Sequence, residues 1–284
     1  MPKDILQKNR IAVVTGAANG IGAAASRYFS ERGMSLVLFD KDKVEMEKIA
    51  SQLNNPTLLI QGDVTNFQDC QKLLDETYTT FGACHLLFNN AGIMAKAGPM
   101  DSFEKWQKII DVNLASIVNL QSLFIPKMLE QTDSSAVVNL GSKEGITTPP
   151  GNVAYSVSKA GVKILTEHLQ HELRNSSNGK VSAHLLVPGY TWTPMNFPGG
   201  DFKEATTKPD APWSADQVMA YFGKRFEADD FYIICLDNEV TKDMDDHRMR
   251  WAMDDIIKNR SALSRWDAHY KNDFDAFMKK PLID

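Results

Sequence analysis

Residues 11–33 hold the pattern that most limits what this chain can fold into. A short apolar run, Ile-Ala-Val-Val at 11–14, leads into a turn from Thr15 to Gly22, and a helical stretch from Ala23 to Arg32 follows and ends at Gly33. The order is strand, glycine turn, helix. Such a turn lets the backbone approach a pyrophosphate and places it on a helix N-terminus, where free N–H groups and the helix dipole favour an anion. Gly16, Gly20 and Gly22 are spaced Gly-x-x-x-Gly-x-Gly, unlike the commoner Gly-x-Gly-x-x-Gly, and an ordinary tight turn is the alternative.

The same alternation continues along the chain. Residues 35–39, 57–61, 86–88, 136–140 and 181–187 read as strands with helical segments between them, which predicts an α/β fold built on a parallel, doubly wound sheet. A chain of 284 residues with 43% hydrophobic content can bury a large core, and no repeat or low-complexity linker divides it. The expected organisation is one catalytic unit over residues 1–236 and a helical C-terminal extension over 237–284.

The second strand runs into Asp40, eighteen residues after Gly22. A carboxylate there accepts hydrogen bonds from both adenosine ribose hydroxyls and repels a 2′-phosphate, so NAD is favoured over NADP. Lys41 and Lys43 are the counterweight, since either can reach a phosphate, and a solvated loop carboxylate or helix cap is the plain alternative for Asp40.

Tyr155 and Lys159 lie one helical turn apart in Ala-Tyr-Ser-Val-Ser-Lys, with Ser142 thirteen positions before the tyrosine. On one helix face an ammonium favours a phenolate and brings a weak acid nearer to working as a base at neutral pH, which is what removing a proton from an alcohol requires. A half-buried packing tyrosine, a solvated lysine and a strand-end turn serine are the alternatives for the three taken singly.

Together these residues resemble the short-chain dehydrogenase/reductase family over most of residues 9–195. Further motifs carry the resemblance: Asp63-Val64 after the third strand, Asn89-Asn90-Ala91-Gly92 after the fourth, Asn113 in Asp-Val-Asn-Leu, and Pro188-Gly189 followed by Thr191 and Thr193 after the sixth. The resemblance implies a Rossmann-like fold and an oxidoreductase that interconverts a secondary alcohol and a ketone with NAD, NADP being the less favoured cofactor. It implies Tyr155 as general acid/base, with Lys159 lowering its pKa and bonding the nicotinamide ribose. Ser142 would orient the substrate oxygen, and Asn113 would hold a water linking Lys159 to solvent. The implied cofactor contacts are Gly16, Asn19, Gly20, Ile21, Gly22, Asp40, Asp63, Val64, Asn90, Ala91, Gly92, Tyr155, Lys159, Pro188, Gly189, Thr191 and Thr193. A homodimer or homotetramer is implied as well.

The chain departs from the family pattern in two places. Lys143-Glu144 follows Ser142 where many relatives carry a second small hydroxyl residue; the two charges either pair with each other, face water, or help select a polar or anionic substrate. Beyond the expected last strand at 230–236, residues 240–259 read as one helix. After it Leu263, Trp266, Tyr270, Phe274 and Phe277 recur at near-helical spacing as an aromatic stripe on a second, packing internally or against another subunit.

Substrate contacts are expected beyond the strand ends, in a mobile aromatic lid at about 190–214, with Met94, Trp192, Met195 and Phe197 beside Ser142. That lining favours a bulky or aromatic alcohol. A net charge of −5 without a basic cluster argues against nucleic acid, and no run approaches the ~18 apolar residues of a membrane span. With no signal-like N-terminal segment the default location is cytoplasmic. Cys70, Cys84 and Cys235 read as space-filling thiols, and His168 and His171 lack the partners of a metal site. An NAD-using epimerase or dehydratase and a non-catalytic dinucleotide-binding regulatory protein remain as alternatives to the dehydrogenase.

Overall fold

Apolar side chains on both faces of the central strands demand cover on both sides, and the order of elements supplies it. The computed structural model describes residues 2–202 and 208–281. The strands are β1 (Ile11–Thr15), β2 (Ser35–Asp40), β3 (Thr57–Gln61), β4 (Leu86–Asn89), β5 (Ser135–Leu140), β6 (Val181–Val187), β7 (Thr191–Trp192), β8 (Trp213–Ser214) and β9 (Tyr232–Ile234). Among the described residues, seven of them form one parallel sheet in the order β3-β2-β1-β4-β5-β6-β9, and β7 pairs with β8 in a small ribbon. The helices are α1 (Gly20–Glu31), α2 (Lys43–Ala50), α3 (Phe67–Phe81), α4 (Phe103–Ile110), α5 (Ser116–Glu130), α6 (Glu144–Thr147), α7 (Val153–Ser176), α8 (Ala215–Glu227), α9 (Lys242–Ile257) and α10 (Lys271–Phe277). The doubly wound α/β architecture expected from the sequence is the one observed.

Period-two alternation divides each strand between two cores. Ala12, Val14, Leu36, Leu38, Leu86, Phe88 and Val138 face the side covered by α1 and α8, whereas Val13, Val37, Phe39, Leu87 and Val137 face α3 and α5. On the first side Phe29, Phe88 and Phe222 meet edge to face with ring centres 5.5–6.2 Å apart. Each such buried ring contributes about 1.5–3 kcal/mol through area alone. Local chemistry fixes where the helices begin. Asn66 accepts from the Gln68 and Asp69 amides at the start of α3, Ser214 and Gln217 form a capping box on α8, and Thr241 accepts from Met244 N on α9.

The helical stretch Phe103–Glu130 is long and apolar enough on average to cross a membrane by length and composition, although Asp111, Asn113, Ser116, Asn119 and Gln121 interrupt its apolar residues. Its apolar residues have another use here, since Leu120, Phe124 and Met128 fill the core beside α3. A π-helical turn, Asp111–Ala115, interrupts the stretch between α4 and α5.

The C-terminal extension differs from expectation in one respect. A single helix follows the last strand, as α9, but the aromatic stripe does not lie on a second one. Leu263 takes a left-handed conformation (φ 57°), and Asp267 is extended between the 3-10 turns Ser264–Trp266 and Ala268–Tyr270, so only α10 is α-helical. Two helix-breaking backbone states outweigh the apolar period. The stripe still packs inwardly in part: Trp251 of α9 is buried against Phe274 and Phe277, at 5.2 and 5.3 Å between ring centres, and its Nε1 donates to Ser264.

The segment expected to be a lid has fixed ends. β7 and β8 tie residues 191–192 to 213–214, and Trp213 donates from Nε1 to Asn238. Residues 203–207 of that stretch, and 282–284 of the extension, lie outside the described residues.

Candidate active site

The strand order reverses at β1, whose neighbours β2 and β4 leave in opposite directions, and the carboxyl ends of the strands open there into a crevice. A cavity of about 540 Å³ occupies it, lined on one side by Gly16, Asn19, Gly20, Ile21 and Asp40, and on the other by Ser142, Tyr155 and Lys159.

The glycine turn is shaped by close approach. A side chain on Gly16, which has φ 65°, would meet Ala91 Cα at 2.8 Å, and one on Gly22 would lie 2.0 Å from Gly16 O. Asn90 locks this contact by donating from Nδ2 to the Thr15 and Gly16 carbonyls, while Thr15 Oγ1 accepts from the Asn90 and Ala91 amides. The Asn19 side chain makes no cap on α1, and no acidic residue stands in the first turn. The first amides and the positive end of that helix are thus left to whatever enters the cavity. An uncapped helix start behind a glycine cradle fits the diphosphate of a dinucleotide.

Asp40 lies at the far end. Its Oδ2 accepts from Ala18 N at 3.1 Å and its Oδ1 from Asp42 N at 3.0 Å, which holds the carboxylate at the cavity wall. Lys41 is bound to Asp63 at 2.6 Å and Lys43 lies 3.8 Å from Glu47, so each lysine next to Asp40 has its own carboxylate.

At the other end Ser142 follows β5 while Tyr155 and Lys159 stand one turn apart on α7. Burial pushes the Tyr155 phenol up to about 12; a hydrogen bond with the Ser142 hydroxyl opposes the rise and the Glu144 carboxylate adds to it. Burial brings Lys159 down to about 8; its Nζ donates to Leu140 O at 2.7 Å and lies 5.8 Å from the Tyr155 ring centre. In this arrangement the ammonium is turned to the Leu140 carbonyl, and desolvation of the phenolate outweighs the Ser142 bond.

Asn113 is buried behind Gly92. Its Nδ2 donates to Ile93 O and Ser158 Oγ, and its Oδ1 accepts from Ile93 N at 2.8 Å. These bonds let the side chain brace the loop after β4. The bracing matters locally: Asn113 Oδ1 and Lys159 Nζ flank Gly92, 3.4 and 3.7 Å from where a side chain would start.

The remaining residues singled out in the sequence divide into two groups. Asn90, Ala91, Gly92, Met94, Pro188, Gly189, Thr191, Thr193 and Met195 line the cavity. Gly22, Asp63, Val64, Asn113, Trp192 and Phe197 are absent from its wall. Gly22 is packed behind Gly16, Val64 is in the core, and Asp63 lines a neighbouring depression with Lys41 and Thr65. Trp192 and Phe197 stack on each other at 4.2 Å, with Phe202 at 4.9 Å from Trp192. Each ring is partly buried against the other, and neither lines the cavity in this arrangement.

Among the wall residues that sequence reasoning missed, Asp237, Val240 and Arg248 come from the C-terminal extension. The only signal for them is the charge pair after Ser142. Lys143 and Glu144 do not pair with each other: Lys143 Nζ reaches Asp245 of α9 at 2.6 Å and Asp237 at 3.9 Å, and α6 packs on α9. Glu144 is half-buried beside Ser156, its carboxyl raised by that burial.

A short chain dehydrogenase family model matches residues 10–201. An uncharacterized oxidoreductase of Staphylococcus epidermidis is 32% identical over 213 residues, 75% of this chain and 90% of its own. A short chain dehydrogenase/reductase from Burkholderia phymatum, solved in complex with NAD, superposes with a TM-score of 0.79 at 27% identity, covering 90% of this chain and 97% of that one. Levodione reductase shares the fold, with a TM-score of 0.70 at 23% identity over 82% of this chain and 97% of its own. A match over residues 10–201, together with this crevice at the reversal of the sheet, places the chain in the short-chain dehydrogenase/reductase family of oxidoreductases.

Proposed function

We propose that the protein is an NAD-dependent oxidoreductase that interconverts a secondary alcohol and a ketone. The observation that carries the reading is the meeting of Ser142, Tyr155 and Lys159 with the uncapped start of α1 and Asp40 around one cavity. Bound nicotinamide dinucleotide supplies the hydride donor or acceptor. The preference for NAD over NADP rests on Asp40, whose carboxylate stands at the wall while the adjacent lysines are paired with Asp63 and Glu47.

The chain's own part is to place the carbonyl and move one proton. Ser142 Oγ donates to the substrate oxygen, stabilising the negative charge that grows there as hydride reaches the carbon. Tyr155 gives its hydroxyl proton to that oxygen in reduction and takes it back in oxidation. A phenol raised to about 12 is fully protonated at neutral pH, the form required of the acid in the reductive direction. Lys159 keeps two ammonium hydrogens beyond the one given to Leu140, and these serve the cofactor ribose and the charge on the phenol. Met94, Met195 and Val240 provide apolar wall for the carbon skeleton.

The test follows NADH absorbance with purified protein and a panel of ketones. Tyr155→Phe is expected to lower turnover by about 10²–10⁴-fold, the usual worth of a general acid, while NADH affinity stays the same. Turnover retained in the variant would remove the tyrosine from this role.

A further inference from the structure

The wall that the C-terminal extension contributes is charged, and its charges are unevenly satisfied. Two cations line it, Lys143 and Arg248 of α9, and Arg265, outside the lining, acts on Arg248 electrostatically. Two carboxylates face them, Asp237 and Asp245. Asp237 is largely occupied, accepting from the Glu239 and Val240 amides at 3.0 and 2.7 Å and from Tyr190 N at 3.3 Å. Asp245 is drawn to Lys143 at 2.6 Å. Arg265 lies over the Trp266 and Phe274 rings, 4.8 and 5.4 Å from their centres. Glu144, the other acid on this wall, sits on the Tyr155 side, half-buried beside Ser156.

Arg248 is left over. Its ion-pair partner is Asp245, with Oδ1 3.8 Å from Nη1 and so beyond hydrogen-bond range, and its buried Nε has no hydrogen-bond partner among the described residues. A guanidinium presents donors in a fixed fork that matches a carboxylate, and leaving one buried without an acceptor is costly. This fork lines the same cavity as Ser142 and Tyr155, and it hangs from a helix packed on the segment that directly follows Ser142.

We infer that Arg248 is a substrate-binding residue which, with Lys143 beside it, receives a carboxylate, so that the substrate is an oxo acid or its hydroxy-acid counterpart. The inference rests on the reading of the cavity as an alcohol–ketone site and adds the substrate's charge to it. The carbonyl lies at Ser142 and Tyr155, the carboxylate at Arg248, and the diphosphate of the cofactor at the start of α1. Lys143 is held by Asp245 as a support that keeps α9, and with it Arg248, against the site.

The test reads binding apart from turnover, so it is scored independently of Tyr155→Phe. Affinities of benzoylformate and 3-benzoylpropionate, which set the carboxylate at two distances from the ketone, are compared with those of their primary amides by calorimetry on the enzyme–NAD complex, where no hydride is available to reduce the ketone. At least one acid is expected to bind at least about tenfold more tightly than its amide, the size of a hydrogen bond to a charged group. Arg248→Met should erase that advantage while NAD affinity is kept, and Arg248→Lys should keep part of it. Equal affinity of acids and amides, including no binding by either, would overturn the inference. So would an acid advantage that survives in Arg248→Met, or a loss of NAD affinity by the same factor, which would make Arg248 a cofactor contact.

Discussion

Asp40 carries two loads on one carboxylate. It shapes the chain by accepting from Ala18 N and Asp42 N, and it keeps further lone pairs for a ligand at the cavity wall. Asp40→Ala is expected to weaken NAD more than NADP, and titration of both cofactors by protein fluorescence measures the ratio; an unchanged ratio would assign the preference to another group. At this scale the sequence is informative where spacing along the chain encodes spacing in space. Tyr155 and Lys159 share a helix face, and the glycines share one turn, so both were legible. Asn113 was legible as a position but not in its contacts, because its partner, the Ile93 peptide, is brought to it only by the fold. Lys143 illustrates the same limit: its acceptor, Asp245, belongs to a helix at the other end of the chain.

Helix α9 is an element with two attachments. Its N-terminal half is tied to the site through Asp245, and His247, two residues on, ties it to Lys280. The His247 ring is buried, with Nδ1 2.7 Å from Asp243 O and Nε2 2.7 Å from Lys280 O. Carbonyls only accept, so satisfying both needs both ring N–H groups, and the two backbone bonds, with the Asp243 and Asp246 carboxylates, raise the imidazole above its usual 6.5. A group raised in the folded state gives its full stabilisation below the unfolded value and loses it as pH rises through the folded one. The contact between α9 and the chain end should accordingly loosen on the alkaline side of 6.5. Hydrogen exchange over residues 271–281, corrected for intrinsic rates, is expected to quicken between about pH 6 and pH 9, and His247→Gln should remove that dependence. A profile that is the same in both proteins would assign the loosening elsewhere. The helix itself was readable from the sequence, and Asn259 (φ 50°) marks its end, whereas the break within the aromatic stripe was not, since the positive φ at Leu263 falls on a residue that does not announce it.

Across the whole molecule, alternation of apolar runs with helical segments was enough to expect a parallel doubly wound sheet, and the reversal at β1 then fixes where a ligand can enter. What alternation does not encode is which surfaces stay apolar. Val157 and Ile164, two turns apart on one face of α7, are exposed, as are Val118 on α5 and Phe103 at the start of α4. We expect this face to join copies of the chain as a dimer or tetramer. Ile164→Glu should shift the species seen by light scattering towards the monomer, and a wild-type protein that is monomeric at micromolar concentration would sink that expectation.

The bond between Lys143 and Asp245 also sets an order of events in synthesis. A chain emerging from the ribosome folds from its N-terminal side first, so the sheet, the glycine turn and the Ser142–Tyr155 pair are all made before α9 exists. At that stage the basic wall of the cavity is missing, and Lys143 has no Asp245 to hold it. Residues translated after the sheet thus close the site, and a product truncated before α9 would retain the cofactor cradle without the completed pocket.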